Sequence, residues 1–145
     1  MKRLVPVLAS IACLALSALP ALSQEGNAEE GEAVFRKCAT CHKVGPDARN
    51  FTGPVLNGVI GRPAGTVPEF AYSDLNKAAG ANGLVWTEQL IFEYLEDPAE
   101  FLKKFLTSKG KQDLAEGTTR MVFKLTDETD RRDVIAYLKR FSPAK

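Results

Sequence analysis

The chain has 145 residues, 19 of them Lys or Arg and 18 Asp or Glu, for a formal net charge of +1. Charges this balanced give no electrostatic footing for nucleic-acid binding, and any charge-steered docking has to come from local patches. The length is that of one domain.

The N-terminus reads as a secretory leader. Lys2 and Arg3 form a positive head, Leu4 to Leu19 an apolar run interrupted by Pro6 and Ser10, and Ala21-Leu22-Ser23 a small-residue cleavage site before Gln24. Residues 1–23 are expected to be removed and 24–145 to form the single folded domain. The competing reading is a membrane anchor, but the run falls short of the roughly 20 residues a spanning helix needs, and Pro20 with its small-residue exit favours cleavage. Cys13 lies inside the apolar run and reads as part of it. Losing Lys2 and Arg3 leaves 17 basic against 18 acidic residues.

Asn27 can cap a helix, with Glu30 three residues on in a capping-box arrangement. That helix is expected from about Ala28 into Cys38, delivering Cys38-Ala39-Thr40-Cys41-His42 at its end. His42 is the only histidine, Cys38 and Cys41 are the only cysteines outside the leader, and Met121 is the only methionine besides the initiator. C-x-x-C-H is the signature of c-type haem attachment. Two thiols about one helical turn apart can add to the two vinyl groups on one side of a haem, and the histidine that follows is carried under the ring to bind iron. Three other readings compete. A zinc site needs four ligands in a structural centre, and too few remain. A thioredoxin-type dithiol would sit in a βαβ pattern, which is absent. A plain disulfide gives His42 no reason to follow Cys41. His/Met ligation of a haem needs one imidazole and one thioether, and the chain offers one of each.

From Lys43 to Phe70 the chain reads as loop, with Gly45-Pro46, Gly53-Pro54, Asn57-Gly58 and Gly61-Arg62-Pro63. A loop this long in a small domain usually serves function, and wrapping a flat cofactor supplies one. A short helix is expected from Ser73 to about Ala79, closed by Gly80. Thr87 caps the next, with Leu90, Ile91, Tyr94 and Leu95 on one face. Asp97-Pro98 starts another, Asp97 as N-cap, Pro98 in the first position and Glu100 in the third, with Phe101, Leu102, Phe105 and Leu106 as its stripe. Thr107 to Arg120 reads as a polar surface loop leading to Met121. Thr126 is expected to cap the last helix, with Asp127 and Glu128 at its positive end, Val134, Tyr137, Leu138 and Phe141 buried, and Pro143 past its end. No alternating strand pattern occurs. The expected class is all-α, four to five short helices with long loops, and so thin a core implies that a haem forms part of it.

The order of these features resembles the class I cytochromes c, specifically the bacterial cytochrome c2 group. The resemblance spans nearly all of 24–145. It rests on the 38–42 motif, on Thr52-Gly53-Pro54-Val55-Leu56-Asn57-Gly58-Val59-Ile60-Gly61-Arg62, on Phe70-Ala71-Tyr72-Ser73-Asp74 and on Trp86. Tyr94-Leu95-Glu96-Asp97-Pro98, Met121-Val122-Phe123-Lys124 and Asp133-Val134-Ile135-Ala136-Tyr137-Leu138 complete it. It implies a class I cytochrome c fold around one haem c, covalent through Cys38 and Cys41, with His42 and Met121 as axial ligands. By the same resemblance the Pro54 carbonyl accepts a hydrogen bond from His42, and Tyr72, Trp86 and Arg62 meet the inner propionate. Asn76, Tyr94 and Thr119 form the polar group near the methionine sulfur, and Phe123 shields the haem edge on that side. Gly31, Phe35, Tyr137 and Leu138 join the first and last helices. Taken singly, Trp86 and Tyr94 read as core, Arg62 as a solvated loop residue, and Gly53-Pro54 as a turn. The segment from Phe101 to Arg120 is longer than in mitochondrial cytochrome c.

With both axial positions filled, no coordination site is open for substrate, so the expected function is one-electron carriage rather than enzymatic chemistry. A haem enzyme such as a peroxidase, or a ligand sensor, would instead need an open sixth position. The resemblance implies a soluble periplasmic monomer without stable membrane insertion, exported with cleavage near Ser23/Gln24. It takes electrons from a cytochrome bc complex and passes them to a terminal oxidase or photosynthetic reaction centre. Lys37, Lys43, Arg120 and Lys124 bracket the expected haem edge as a positive docking patch, or as ordinary solvated charges.

Overall fold

The computed structural model describes residues 25–142; the expected leader, the new N-terminus at Gln24 and Pro143 lie outside the described residues. Five α-helices follow in order: α1 (Ala28–Phe35), α2 (Asp74–Ala81), α3 (Glu88–Glu96), α4 (Pro98–Ser108) and α5 (Glu128–Lys139). One 3₁₀ turn, Gln112–Leu114, interrupts the chain between α4 and α5. Among the described residues the only β pairing is an isolated antiparallel bridge between Pro63 and Val85. The architecture is all-α, as expected.

The caps explain where the helices begin. Asn27 accepts hydrogen bonds from the amides of Glu29 and Glu30, Ser73 from Asn76, Thr87 from Leu90, and Asp97 from Glu100. Asp97 both ends α3 and starts α4, with Pro98 in the position where a missing N–H costs nothing. Five details differ from the sequence reading. The Asn27 amide donates not to Glu30 but to the carboxylate of Asp133 on α5, at 2.6 Å, so a tertiary partner replaces the local capping box. Helix α1 ends at Phe35, and Cys38 to His42 follow on tight turns, with the Ala39 amide on the Phe35 carbonyl and the His42 amide on the Cys38 carbonyl. Gly80 lies inside α2; the stop comes at Gly83, with φ +92°, where the Leu84 amide reaches the Ala79 carbonyl. The last helix is capped by Asp127 rather than Thr126, because the Asp127 carboxylate accepts from Asp130. Helix α4 also runs on through Thr107 and Ser108, which the sequence pattern assigned to a loop.

Two close approaches set the frame. α1 crosses α5 at Gly31, where a side chain's Cβ would lie 1.9 Å from the Asp133 carbonyl oxygen. The Phe35 and Tyr137 rings seal the same crossing at 5.3 Å. A Cβ on Gly80 of α2 would lie as close to the Ala64 carbonyl oxygen, and this contact docks the long 43–70 loop on that helix. The bridge then ties the loop to the chain ahead of α3. Ala64 donates to Leu84, and Trp86 and Arg62 are brought side by side by the Trp86 amide on the Arg62 carbonyl. Leu84, Leu102 and Leu106 are fully buried, each worth roughly 1.5–3 kcal/mol relative to exposure. Leu102 and Leu106 are half of the stripe expected for α4; Phe101 and Phe105 are half-buried at its edge. Among the described residues no helix is long and apolar enough to cross a membrane.

Gly31→Ala should therefore pry α1 from α5. In denaturant unfolding of the haem-loaded protein we expect a loss of about 1–3 kcal/mol; unchanged stability would contradict the close crossing.

Candidate functional site

One cleft opens through the middle of the core. It holds about 1340 Å³ of empty space, mouth included, and its walls come from the 36–42 turns, the 52–73 loop, α2, α3, the 119–123 segment and α5. All twelve residues singled out in the sequence line it: Cys38, Cys41, His42, Pro54, Arg62, Tyr72, Asn76, Trp86, Tyr94, Thr119, Met121 and Phe123.

The His42 ring is held by a single defining contact, Nδ1 to the Pro54 carbonyl oxygen at 2.7 Å. A carbonyl only accepts, so Nδ1 carries the proton and Nε2 keeps its lone pair. Burial lowers the affinity of the imidazole for a second proton; the Pro54 bond opposes that shift, and the Arg62 charge adds to it. The product is a neutral, oriented imidazole with one free nitrogen, the form in which histidine binds a metal. Gly53 makes the orientation possible. A Cβ there would sit 2.5–2.9 Å from three ring atoms, and the Gly53 amide donates to the Cys41 carbonyl at 2.8 Å. The loop is braced behind it by Asn57, whose side chain bonds both the amide and the carbonyl of Gly45, and by Asn50, which spans Val55 and Pro68.

Cys38 and Cys41 are free, half-buried thiols. Burial pushes the Cys38 thiol up to about 11, against the opposing pull of Lys37. A redox dithiol needs the opposite shift. No group of three His, Cys, Asp or Glu able to hold a metal ion occurs among the described residues, which also disfavours the zinc reading.

Met121 is half-buried, its amide on the hydroxyl of the buried Thr119 at 3.3 Å. The Tyr94 hydroxyl stands within bonding reach of Thr119 and Asn76; burial raises its pKa, and those two bonds pull it back. Trp86, Tyr94 and Phe101 form a ring cluster with centroids 4.8–6.1 Å apart. Arg62 is half-buried and bonds the carbonyls of Asn57 and Val55 at 3.1 and 3.0 Å. No carboxylate pairs with it among the described residues. It thus presents a desolvated cation to the cleft beside Tyr72 and Trp86, which fits an anionic group. Phe123 is 40% exposed and Val122 84% exposed, with both at the cleft mouth.

These residues fit a haem: apolar walls, two thiols and an oriented imidazole at one place, a thioether elsewhere on the same wall, and a cation with no internal partner. The sequence reading missed part of the lining, namely Leu56, Val59, Ile91, Leu95 and Val134. Hydrophobic periodicity marks such positions as core, but it cannot tell a neighbour made of protein from one made of cofactor.

The cytochrome c family model matches residues 28–142. The chain is 57% identical over 119 residues to cytochrome c2 iso-1 of Rhodospirillum centenum, covering 82% of this chain and 99% of the relative. Its fold is similar to the solved structure of cytochrome c2 from Rhodospirillum centenum, with TM-score 0.81 and 58% identity over 81% of this chain and 100% of that one. It is also similar to ferricytochrome c2 from Rhodopseudomonas palustris, with TM-score 0.76 and 54% identity over 80% and 99%.

Gly53→Ala should displace the His42 ring. We expect the ring N–H to exchange with solvent faster by NMR and stability to fall by about 1–3 kcal/mol. A ring N–H as protected as in the parent protein would count against the role given to Gly53.

Proposed function

The chain belongs to the cytochrome c family, among the class I cytochromes of the bacterial c2 group, and on that premise we propose that it is a monomeric periplasmic shuttle carrying single electrons from a cytochrome bc complex to a terminal oxidase or photosynthetic reaction centre. It is an electron-transfer protein and not an enzyme, and it carries one haem c covalently through Cys38 and Cys41. The haem supplies the ferric/ferrous couple. In this reading residues 1–23 are the cleaved export leader and 24–145 the mature domain.

The observation that carries the reading is the pairing of a fixed, neutral imidazole with the chain's one candidate thioether on the walls of a single apolar cleft. His42 and Met121 would hold the iron between them and leave no coordination position for a substrate. Such a pair raises the reduction potential, because a thioether favours the softer ferrous ion. Pro54 fixes the plane and basicity of His42. Thr119, Asn76 and Tyr94 hold the polar side of the Met121 segment, Arg62, Tyr72 and Trp86 receive the propionate, and Phe123 covers the edge. An apolar, braced pocket around both ligands would limit rearrangement when an electron enters or leaves.

Of the four basic residues expected at the docking edge, two are already paired: Lys37 with Asp130 at 2.8 Å and Lys124 with Asp97 at 2.6 Å. Lys43 bonds the Ala39 carbonyl and lies over the Phe51 ring, 5.4 Å from its centroid. Arg120 is exposed and without an ion pair among the described residues. The steering charge therefore rests on Arg120, beside the exposed Val122, and on Lys43.

Two outcomes test this. The ferric protein should show the weak long-wavelength absorption of a methionine–iron bond, and Met121→Ala should abolish it; a band that survives the substitution rules Met121 out as ligand. In electron transfer with an acidic partner, Arg120→Gln should slow the bimolecular rate severalfold and flatten its salt dependence, whereas Lys124→Gln should change it less. Equal effects would show that the Asp97 pairing does not shield Lys124.

A further inference from the structure

Arg131 of α5 carries a guanidinium into the interior. It is 2% exposed. Its Nη1 donates to the carbonyls of Leu125 and Thr126 at 3.0 and 3.1 Å. Its plane lies over the Phe92 ring of α3, 4.3 Å from the centroid. Its Nη2 is 3.9 Å from a carboxylate oxygen of Glu96, a mostly solvated side chain. Its Nε is buried without a partner. Burying a cation with one donor unsatisfied is costly. The bonds it does make all secure the place where the chain returns from Met121 and enters α5.

That place is the far anchor of the Met121 segment. The Leu125 amide donates to the Leu95 carbonyl at 2.8 Å, and Leu125 is 4% exposed. Between Met121 and Leu125 the chain is exposed, held only by the surface pair of Lys124 with Asp97. Such a pair contributes little. On the other side the Met121 amide rests on Thr119. The buried hold on the C-terminal side is therefore Leu125 with the Arg131 fork behind it.

We propose that Arg131 is a positioning residue for Met121: by clamping the Leu125 and Thr126 carbonyls against α3 and α5 it fixes the end of the segment that presents the thioether. The inference rests on the assignment of Met121 as axial ligand. Without the fork, the segment loses its fixed end, and the thioether gives way more readily to a competing ligand even while the helices stay folded.

The test uses the exported, haem-loaded protein in its ferric state, titrated with imidazole, together with amide hydrogen exchange at Leu125. Arg131→Met keeps the bulk and removes the fork; Ile135→Ala weakens α5 packing without touching the segment. In Arg131→Met we expect imidazole to bind about tenfold more tightly, equivalent to about 1.4 kcal/mol, and Leu125 exchange to speed up by a similar factor. Ile135→Ala should alter neither to that extent at comparable loss of thermal stability. Should Arg131→Met yield no holoprotein, Arg131→Lys carries the test, since a single ammonium cannot bond both carbonyls and stack on Phe92 together. Its imidazole affinity should then lie above the parent's. Affinity and exchange in the Arg131 variants no different from Ile135→Ala would overturn the proposal. Absence of the methionine–iron band in the parent protein would instead overturn the ligand assignment, and Leu125 exchange would still decide what Arg131 holds.

Discussion

The Pro54 carbonyl, 2.7 Å from Nδ1 of the chain's only imidazole, governs both the chemistry and the loop around it. It settles the tautomer, leaves Nε2 free, and fixes the ring plane relative to the two thiols just before it in sequence. For that carbonyl to reach the ring, the 52–54 segment has to pass against the ring itself, which only a residue without Cβ allows at Gly53. The bracing by Asn50 and Asn57 follows from the same demand. A loop that positions a ligand atom needs its own polar groups satisfied without a sheet to do it.

The second consequence is a core that is incomplete as protein alone. Leu84, Leu102 and Leu106 are packed to full burial, yet the residues between them and α1 face a cleft rather than each other. A haem c in the cleft would cover these apolar walls and complete the core. The crossing of α1 and α5 at Gly31 and the docking of α2 at Gly80 form the shell that makes the cleft a defined shape. Arg62 contributes in a different way. Its charge, held by two carbonyls and by no carboxylate among the described residues, would be balanced by an anionic group entering beside it.

Much of this was legible in the sequence, because scarcity makes assignment simple: one histidine, two cysteines next to it, one methionine far downstream. Local rules also worked where local partners decide. Thr87 and the Asp97-Pro98 junction start their helices as read, since each cap bonds an amide three residues on. Readings failed where a distant residue decided. Asp133, 106 positions away, takes the Asn27 amide that the capping box assigned to Glu30. Gly80 looks like a helix stop and is instead a contact point for Ala64. Arg131, to which the sequence reading assigns no role, is buried among Phe92, Leu125 and Thr126. No periodicity reports such partners, and none separates a residue that touches haem from one that touches leucine.

The proposed carrier role requires that His42 and Met121 stay with the iron in both oxidation states, which would leave no room for substrate. Iron-edge X-ray absorption on the ferric and the ferrous protein measures this most directly. The expected result is a single sulfur neighbour together with histidine nitrogen in both states, with bond lengths that barely change between them. Absence of sulfur in either state, or its replacement by a light-atom ligand on reduction or oxidation, would contradict it.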